Sequence, residues 1–245
     1  MITNMLPIDW RDLQNKVAQL LNESDIKAEV GKKIKNIRGV VEIDVFARET
    51  IDNRNYDILI ECKNWNSKVP QTVIHSFRSV ISDIGANIGY IISLKGFQSG
   101  AYEANQFTNI DILTWYEFQE LFEEKWLRNY FSKYIEKHFG ALMTYAESFV
   151  PTWAMELNEK DSLNFIELHK KYEDLGWLLL SLRNMSGIFS KKDKFPQLPL
   201  EKNKYNIPKI LYEPISYREL LKVLHECCDP AINEYRKLRN NVINT

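Results

Sequence analysis

Two short runs decide how this chain reads: VVEIDVFA at residues 40–47 and YDILIECKNW at residues 56–65. Both are rich in β-branched and large apolar residues and are bounded by turn formers, the pattern of strands. Asp52 and Asn53 between them suit a turn. Folded as an antiparallel hairpin about that dipeptide, residues whose numbers sum to about 105 face each other, so Asp44 falls opposite Glu61. Directly opposed side chains have Cβ atoms ~5 Å apart. Side chains alternate along a strand, so Glu61 and Lys63 share one face and Cys62 takes the other. A slip of one residue would separate the carboxylates.

Glu and Lys two residues apart are common on solvated edge strands, where they only keep the edge soluble. The neighbours here argue otherwise. Ile58, Leu59, Ile60 and Cys62 make a strand buried on both faces, where ionised groups are costly without partners. Two close carboxylates repel unless a cation intervenes. Mg²⁺ is the expected cation, with Mn²⁺ as a substitute, and Asp44 and Glu61 are its expected ligands. Such an ion can orient and polarise a phosphate and favour formation of hydroxide. Lys63 is expected beside the attacking water, where its charge stabilises developing negative charge. The expected catalytic set is therefore Asp44, Glu61 and Lys63.

Outward from this pair, residues 9–22 read as a helix, with Leu13, Val17, Leu20 and Leu21 at helical spacing and Asp9 as cap. Residues 26–34 read as a strand. After Pro70, Val73, Phe77, Val80, Ile81 and Ile84 mark a helix ending near Gly85. Further on come a strand at 88–94, a helix at 101–107, a strand at 110–114 and a helix at 116–125. This αβββαβαβα order predicts an α/β fold, with helices flanking a mixed sheet. Beyond Trp126 the strand signal nearly vanishes, and residues 127–149, 161–183 and 216–240 read as an all-α helical domain. The chain thus divides into residues 1–126 and 127–245. The 25 residues 190–214 hold four prolines and read as an extended loop.

The formal net charge of −1 does not advertise a nucleic-acid binder, although a local patch matters more than the total. The first 126 residues carry 14 basic and 18 acidic side chains, a net of −4, which leaves the helical part at +3. Cys62, Cys227 and Cys228 lack zinc-site spacing, and three reduced thiols of a cytoplasmic protein are expected. No apolar run is long enough to span a bilayer, and no secretory signal is evident, so no membrane partner is expected.

The segments GVVEIDVFA (39–47) and ECKNW (61–65) resemble the Mrr-like restriction endonucleases of the PD-(D/E)XK superfamily. Asp44 matches the family's metal-binding aspartate, and Glu61-Cys62-Lys63 matches its E-x-K strand. The resemblance continues through DIGANIGYIISLKGFQSGAYEAN (83–105) and includes the opening helix WRDLQNKVAQLL, so it covers roughly residues 9–125. It implies a restriction-endonuclease-like sheet and a metal-dependent phosphodiesterase acting on DNA, of the kind found in restriction and anti-phage defence. Double-strand cutting implies a homo-oligomer, and an activating protein partner fits a defence setting. The family's first helix often carries a glutamate where this chain has Gln14. The rivals are a nuclease fold retained for binding or assembly, and a nuclease acting on branched DNA or RNA.

Weaker candidates surround this core. Gln71 and His75 form Q-x-x-x-H at the start of a helix, where some related nucleases carry Q-x-x-x-Y; a plain surface role competes. Lys32, Lys33, Lys35 and Arg38 form a basic cluster, either a solvated loop or phosphate contacts near the site. Lys191, Lys192 and Lys194 beside Phe195 read as solvated loop. The glycine-containing loop 95–100 lacks nucleotide-binding spacing and reads as a structural turn. YRKLRNNVIN (235–244) faintly resembles the last helix of HEPN-type domains. Their R-x-x-x-x-H is absent, since Asn244 stands where the histidine would follow Arg239.

Overall fold

The computed structural model describes residues 1–37, 39–145, 150–184, 197–202 and 206–243. Arg38, Lys191, Lys192, Lys194, Phe195 and Asn244 lie outside the described residues. Contacts divide the chain into two compact units, Met5–Asn129 and Tyr130–Thr245 together with Met1–Asn4. The first four residues therefore join the helical unit, where Tyr217 N donates to the Met1 carbonyl and Arg218 N to that of Ile2.

The first unit opens with α1 (Trp10–Glu23), started by Asp9, whose carboxylate accepts from Asp12 N at 2.7 Å. Three strands follow: β1 (Lys27–Asn36), β2 (Gly39–Ile51) and β3 (Arg54–Lys63). Then come α2 (Gln71–Ile84), β4 (Ile88–Ser93), α3 (Ser99–Ala104), β5 (Ile110–Thr114) and α4 (Trp115–Trp126). The strands form one sheet in the order β1-β2-β3-β4-β5, antiparallel across β1, β2 and β3 and parallel thereafter. This is the expected α/β architecture, a mixed sheet flanked by helices. Its β3 lies at the sheet's centre, so the reading of a solvated edge hairpin falls away.

The β2–β3 turn falls at the expected dipeptide. Ile51 pairs with Arg54, leaving only Asp52 and Asn53 between the strands. Both have positive φ, 50° and 63°. A two-residue turn of that hand matches the twist of a hairpin, and Asp and Asn tolerate it. The short turn sets the register: Val45 pairs with Ile60, Ala47 with Ile58 and Arg48 with Asp57.

Two apolar layers cover the sheet. On one face α2 and α3 bury Ile74, Phe77, Ile81 and Ala101 against Phe46, Leu59, Ile91 and Ile110. Gly89 on β4 belongs to this layer and has a steric reason to be glycine. A Cβ there would stand 2.1 Å from Ile81 Cδ1 and 2.9 Å from Phe77 Cε1. On the other face Tyr90 meets Phe118 and Phe122 of α4 edge-on, each at 6.0 Å between ring centroids. A capping box of Thr114 and Glu117 starts α4.

After α4 comes a π-helical stretch, Leu127–Phe131, that periodicity did not anticipate. The helical unit then holds α5 (Ser132–Tyr145), α6 (Glu159–Asn184) and α7 (Tyr217–Ile243), with 3₁₀ turns at Thr152–Glu156 and Lys209–Tyr212. Phe139, Leu142, Leu179, Leu220, Leu224 and Tyr235 fill its core. Pro230 lies inside α7. No described helix is long and apolar enough to cross a membrane.

The close fit over Gly89 generates a stability test. Gly89→Val is expected to lower the unfolding free energy by about 1–3 kcal/mol through overpacking against Phe77 and Ile81. Chemical denaturation should show a lower midpoint with an unchanged slope.

Candidate active site

The three expected residues converge where the sheet comes apart. The β2–β3 ladder begins at Val45–Ile60 and does not continue to Asp44 and Glu61. Across β1 and β2 the ladder also omits one step, the pairing of Gly31 with Asp44. Gly31 has φ 67°, a left-handed conformation costly for any residue with a Cβ. Side-chain alternation resets there, because Ile43 and Phe46, three residues apart, both enter the layer beneath α2. Asp44 sits at this discontinuity. Its carboxylate Oδ2 accepts the backbone N–H of Cys62 at 2.8 Å, taking the place of a ladder carbonyl.

Glu61 and Lys63 follow Leu59 on the face covered by α2, while Cys62 turns into the opposite layer and is buried. The Lys63 ammonium donates to Glu61 Oε1. It also lies 5.2 Å from the centre of the half-exposed Trp65 ring, a cation–π contact. Burial, then the neighbouring Asp44 charge, pushes the Glu61 carboxyl above its usual range, and Lys63 opposes the shift. The buried Cys62 thiol is raised well above the ordinary range, chiefly by burial, and stays protonated. Free thiols are also present at Cys227 and Cys228.

The donor set can be tested for a divalent ion. Among the described residues no group of three or more His, Cys, Asp or Glu side chains stands ready to hold a metal. Asp44 and Glu61 supply two hard carboxylates. Mg²⁺ needs no more from the protein, because it keeps several waters and is held by one or two carboxylates plus substrate phosphate. The single N–H bond accepted by Asp44 leaves most of its lone pairs available. A cation would also relieve the repulsion that hinders ionisation of Glu61. The pair fits such an ion.

Residues 5–122 match the Mrr catalytic-domain family, described as restriction endonuclease. Residues 5–122 form an Mrr-like restriction endonuclease domain. No curated protein matches the chain. A crystal structure of a protein of unknown function shares 13% identity, covers 97% of this chain and 100% of that one, and superposes with a TM-score of 0.40. The family assignment rests on the sequence match and not on that likeness.

Around the Mrr-like site the weaker candidates take varied places. Gln14 is buried in α1, which packs on β1, β2 and β3. Gln71 is exposed, and its side chain covers Gly100, where an added Cβ would lie 3.0 Å from Gln71 Oε1. His75 is exposed on α2. The loop at 95–100 is a structural brace. Val69 N donates to the Gly96 carbonyl and Gln98 N to that of Val69, tying the approach to α2 against the end of β4. Lys32 and Lys33 lie on strand β1 within the expected run, and the strand extends past it to include Lys35. Lys32 pairs with Glu29 and stands 3.7 Å from the centre of the Phe46 ring.

Sequence reasoning did not find the backbone N–H of Cys62 as the partner of Asp44, because a main-chain donor leaves no motif. It also missed a polar cluster in the helical unit. There Tyr134 Oη lies 2.9 Å from His225 Nε2, and His225 Nδ1 lies 3.0 Å from Asp229. His138 stacks on Tyr134 at 4.1 Å. The i, i+4 spacing of Tyr134 with His138, and of His225 with Asp229, was the available signal.

The bond from Cys62 separates two roles of Asp44. Asp44→Ala is expected to orphan that N–H and cost about 1–2 kcal/mol of stability. Asp44→Asn keeps an acceptor and should unfold within about 0.5 kcal/mol of wild type. Equal losses for both variants in denaturant titrations would contradict the assignment of this bond.

Proposed function

We propose that this chain is a metal-dependent DNA endonuclease, with Asp44 and Glu61 holding Mg²⁺ or Mn²⁺ and Lys63 acting beside the reacting phosphate. One observation carries the reading. Two carboxylates and an ammonium meet at a break in the sheet, in surroundings that oppose ionisation of Glu61. The Mrr-like restriction endonuclease domain supports nuclease chemistry at this position.

When bound, the divalent ion supplies a Lewis acid for the phosphate and a more acidic water. Asp44, pinned by Cys62 N, offers a fixed carboxylate. Glu61 offers a second and anchors the Lys63 ammonium. Lys63 thus stands ready to orient the attacking water and to stabilise negative charge gathering on the phosphoryl oxygens. Partial burial strengthens that charge by reducing solvent screening. We further propose prokaryotic restriction or anti-phage defence as the setting, and the cytoplasm, whose reducing conditions suit the free thiols. A single site cuts one strand at a time, so double-strand scission calls for a homo-oligomer. The helical unit is proposed to serve oligomerisation, sensing of an activating partner or DNA gripping.

Plasmid cleavage with Mg²⁺ or Mn²⁺ tests the proposal. Wild type should nick or linearise DNA and lose all activity with excess chelator. Lys63→Ala should cut on the order of 10²–10³ slower, and Asp44→Asn should be inactive while remaining folded. Intact DNA with wild type under each metal, across linear, methylated and branched substrates, would overturn the reading.

A further inference from the structure

The β1–β2 ladder outruns the sheet. It runs from Lys27–Arg48 to Asn36–Gly39, whereas β3 accompanies β2 only as far as Val45. Residues 32–36 and 39–43 thus pair as a two-stranded ribbon without a third strand, and its root is the Gly31–Asp44 break that positions the candidate site. The two faces of this ribbon differ in kind. Ile34, Val41 and Ile43 turn inward onto the apolar layer beneath α2. Lys33 and Lys35 turn outward, across from Glu42 and Val40, with Lys33 Nζ 4.0 Å from a Glu42 carboxylate oxygen in a solvent-exposed pair. Lys33 is 72% exposed, Val40 69% and, at the tip, Ile37 85%.

We propose that this ribbon is the arm by which the nuclease holds duplex DNA, with Lys33 and Lys35 on the phosphate backbone and the tip at Ile37 against the groove. The inference rests on the nuclease reading and adds to it a place where the substrate is gripped. Charge favours DNA as the occupant. Between positions 32 and 43 the sequence has three lysines and Arg38 against the single acid Glu42, and with Lys32 paired to Glu29 the stretch stays basic inside a half of the chain that is acidic overall. Geometry favours it as well. Two residues of strand set Lys33 and Lys35 ~7 Å apart on one side, and phosphates recur every ~3.4 Å of axis along each strand. Long, flexible lysines on such a row reach neighbouring phosphates. A two-stranded ribbon is also one of the two elements that fit a major groove. Continuity favours it again, because Asp44 ends the ribbon: DNA held along the arm is led towards Asp44, Glu61 and Lys63. The exposed Ile37 and Val40 side chains would be covered in the complex.

The test uses full-length protein carrying Lys63→Ala, so that DNA stays intact, with and without Lys33→Gln plus Lys35→Gln. Binding to a fluorescent 30-base-pair duplex is followed by anisotropy from low to moderate salt. Removing both lysines should weaken binding roughly tenfold or more at low salt and reduce the slope of log Kd against log salt by about two. A photocrosslinker attached at Ile37→Cys, in the chain with the other cysteines replaced by serine, should capture the duplex. If the doubly substituted protein binds with unchanged affinity and slope, or if position 37 captures no DNA while the parent binds, the arm is not the grip. That result would leave the nuclease reading intact, since cleavage by the chain with Lys63 in place is scored separately. Conversely, DNA binding through the arm by a wild-type chain that cuts nothing would overturn the nuclease reading and retain the arm.

Discussion

Burial and the nearby Asp44 charge oppose ionisation of Glu61, and the partners of both carboxylates answer to that constraint. Asp44 meets it by accepting the backbone N–H of Cys62, and Glu61 by pairing with Lys63. These partners are enough to keep the corner folded. They do not remove the burial or the repulsion from Asp44, which together still raise the Glu61 carboxyl. In the proposed reading a divalent cation would gain two hard ligands here and offset that charge conflict.

The conflict is local because the sheet is interrupted locally. Had β2 and β3 paired through Asp44 and Glu61, the carbonyls of the ladder would occupy Cys62 N, and both carboxylates would simply project from a continuous surface. Instead the left-handed Gly31 and the omitted pairing beside it turn the chain, reset the side-chain alternation and leave Asp44 to cap β3 from the side. Beyond the same break, residues 32–36 and 39–43 pair without β3 as a ribbon. Catalytic corner and substrate-holding arm are in this view two consequences of one backbone device, a use of irregular strand geometry that recurs beside active sites.

Much of this could be read along the chain. Asp52-Asn53 marked the hairpin turn, and the alternation of Leu59, Glu61 and Lys63 against Cys62 placed the charged pair on one face. The helix of Val73, Phe77, Val80, Ile81 and Ile84 and the buried run Ile88–Ser93 were visible from period alone. Other features were not. The strand over residues 26–34 was legible, but its reach to Lys35 and Asn36 was not, because the run of charged residues there hides the alternation. The π-helical stretch after Trp126 is invisible to periodicity, since it depends on which carbonyl each amide selects. The affiliation of Met1–Asn4 with the helical unit depends on hydrogen bonds to Tyr217 and Arg218, more than two hundred residues away.

By itself the sequence determined the order of elements, the turn that sets the β2–β3 register and the residue types able to hold a hard cation, because turn chemistry and side-chain period are local properties. Only the tertiary structure decided that β3 lies in the centre of the sheet, that Cys62 N anchors Asp44, and that the β1–β2 pair extends free of its neighbour. Those depend on where one strand's ladder stops against another, a balance of backbone hydrogen bonds between distant segments that no single segment encodes.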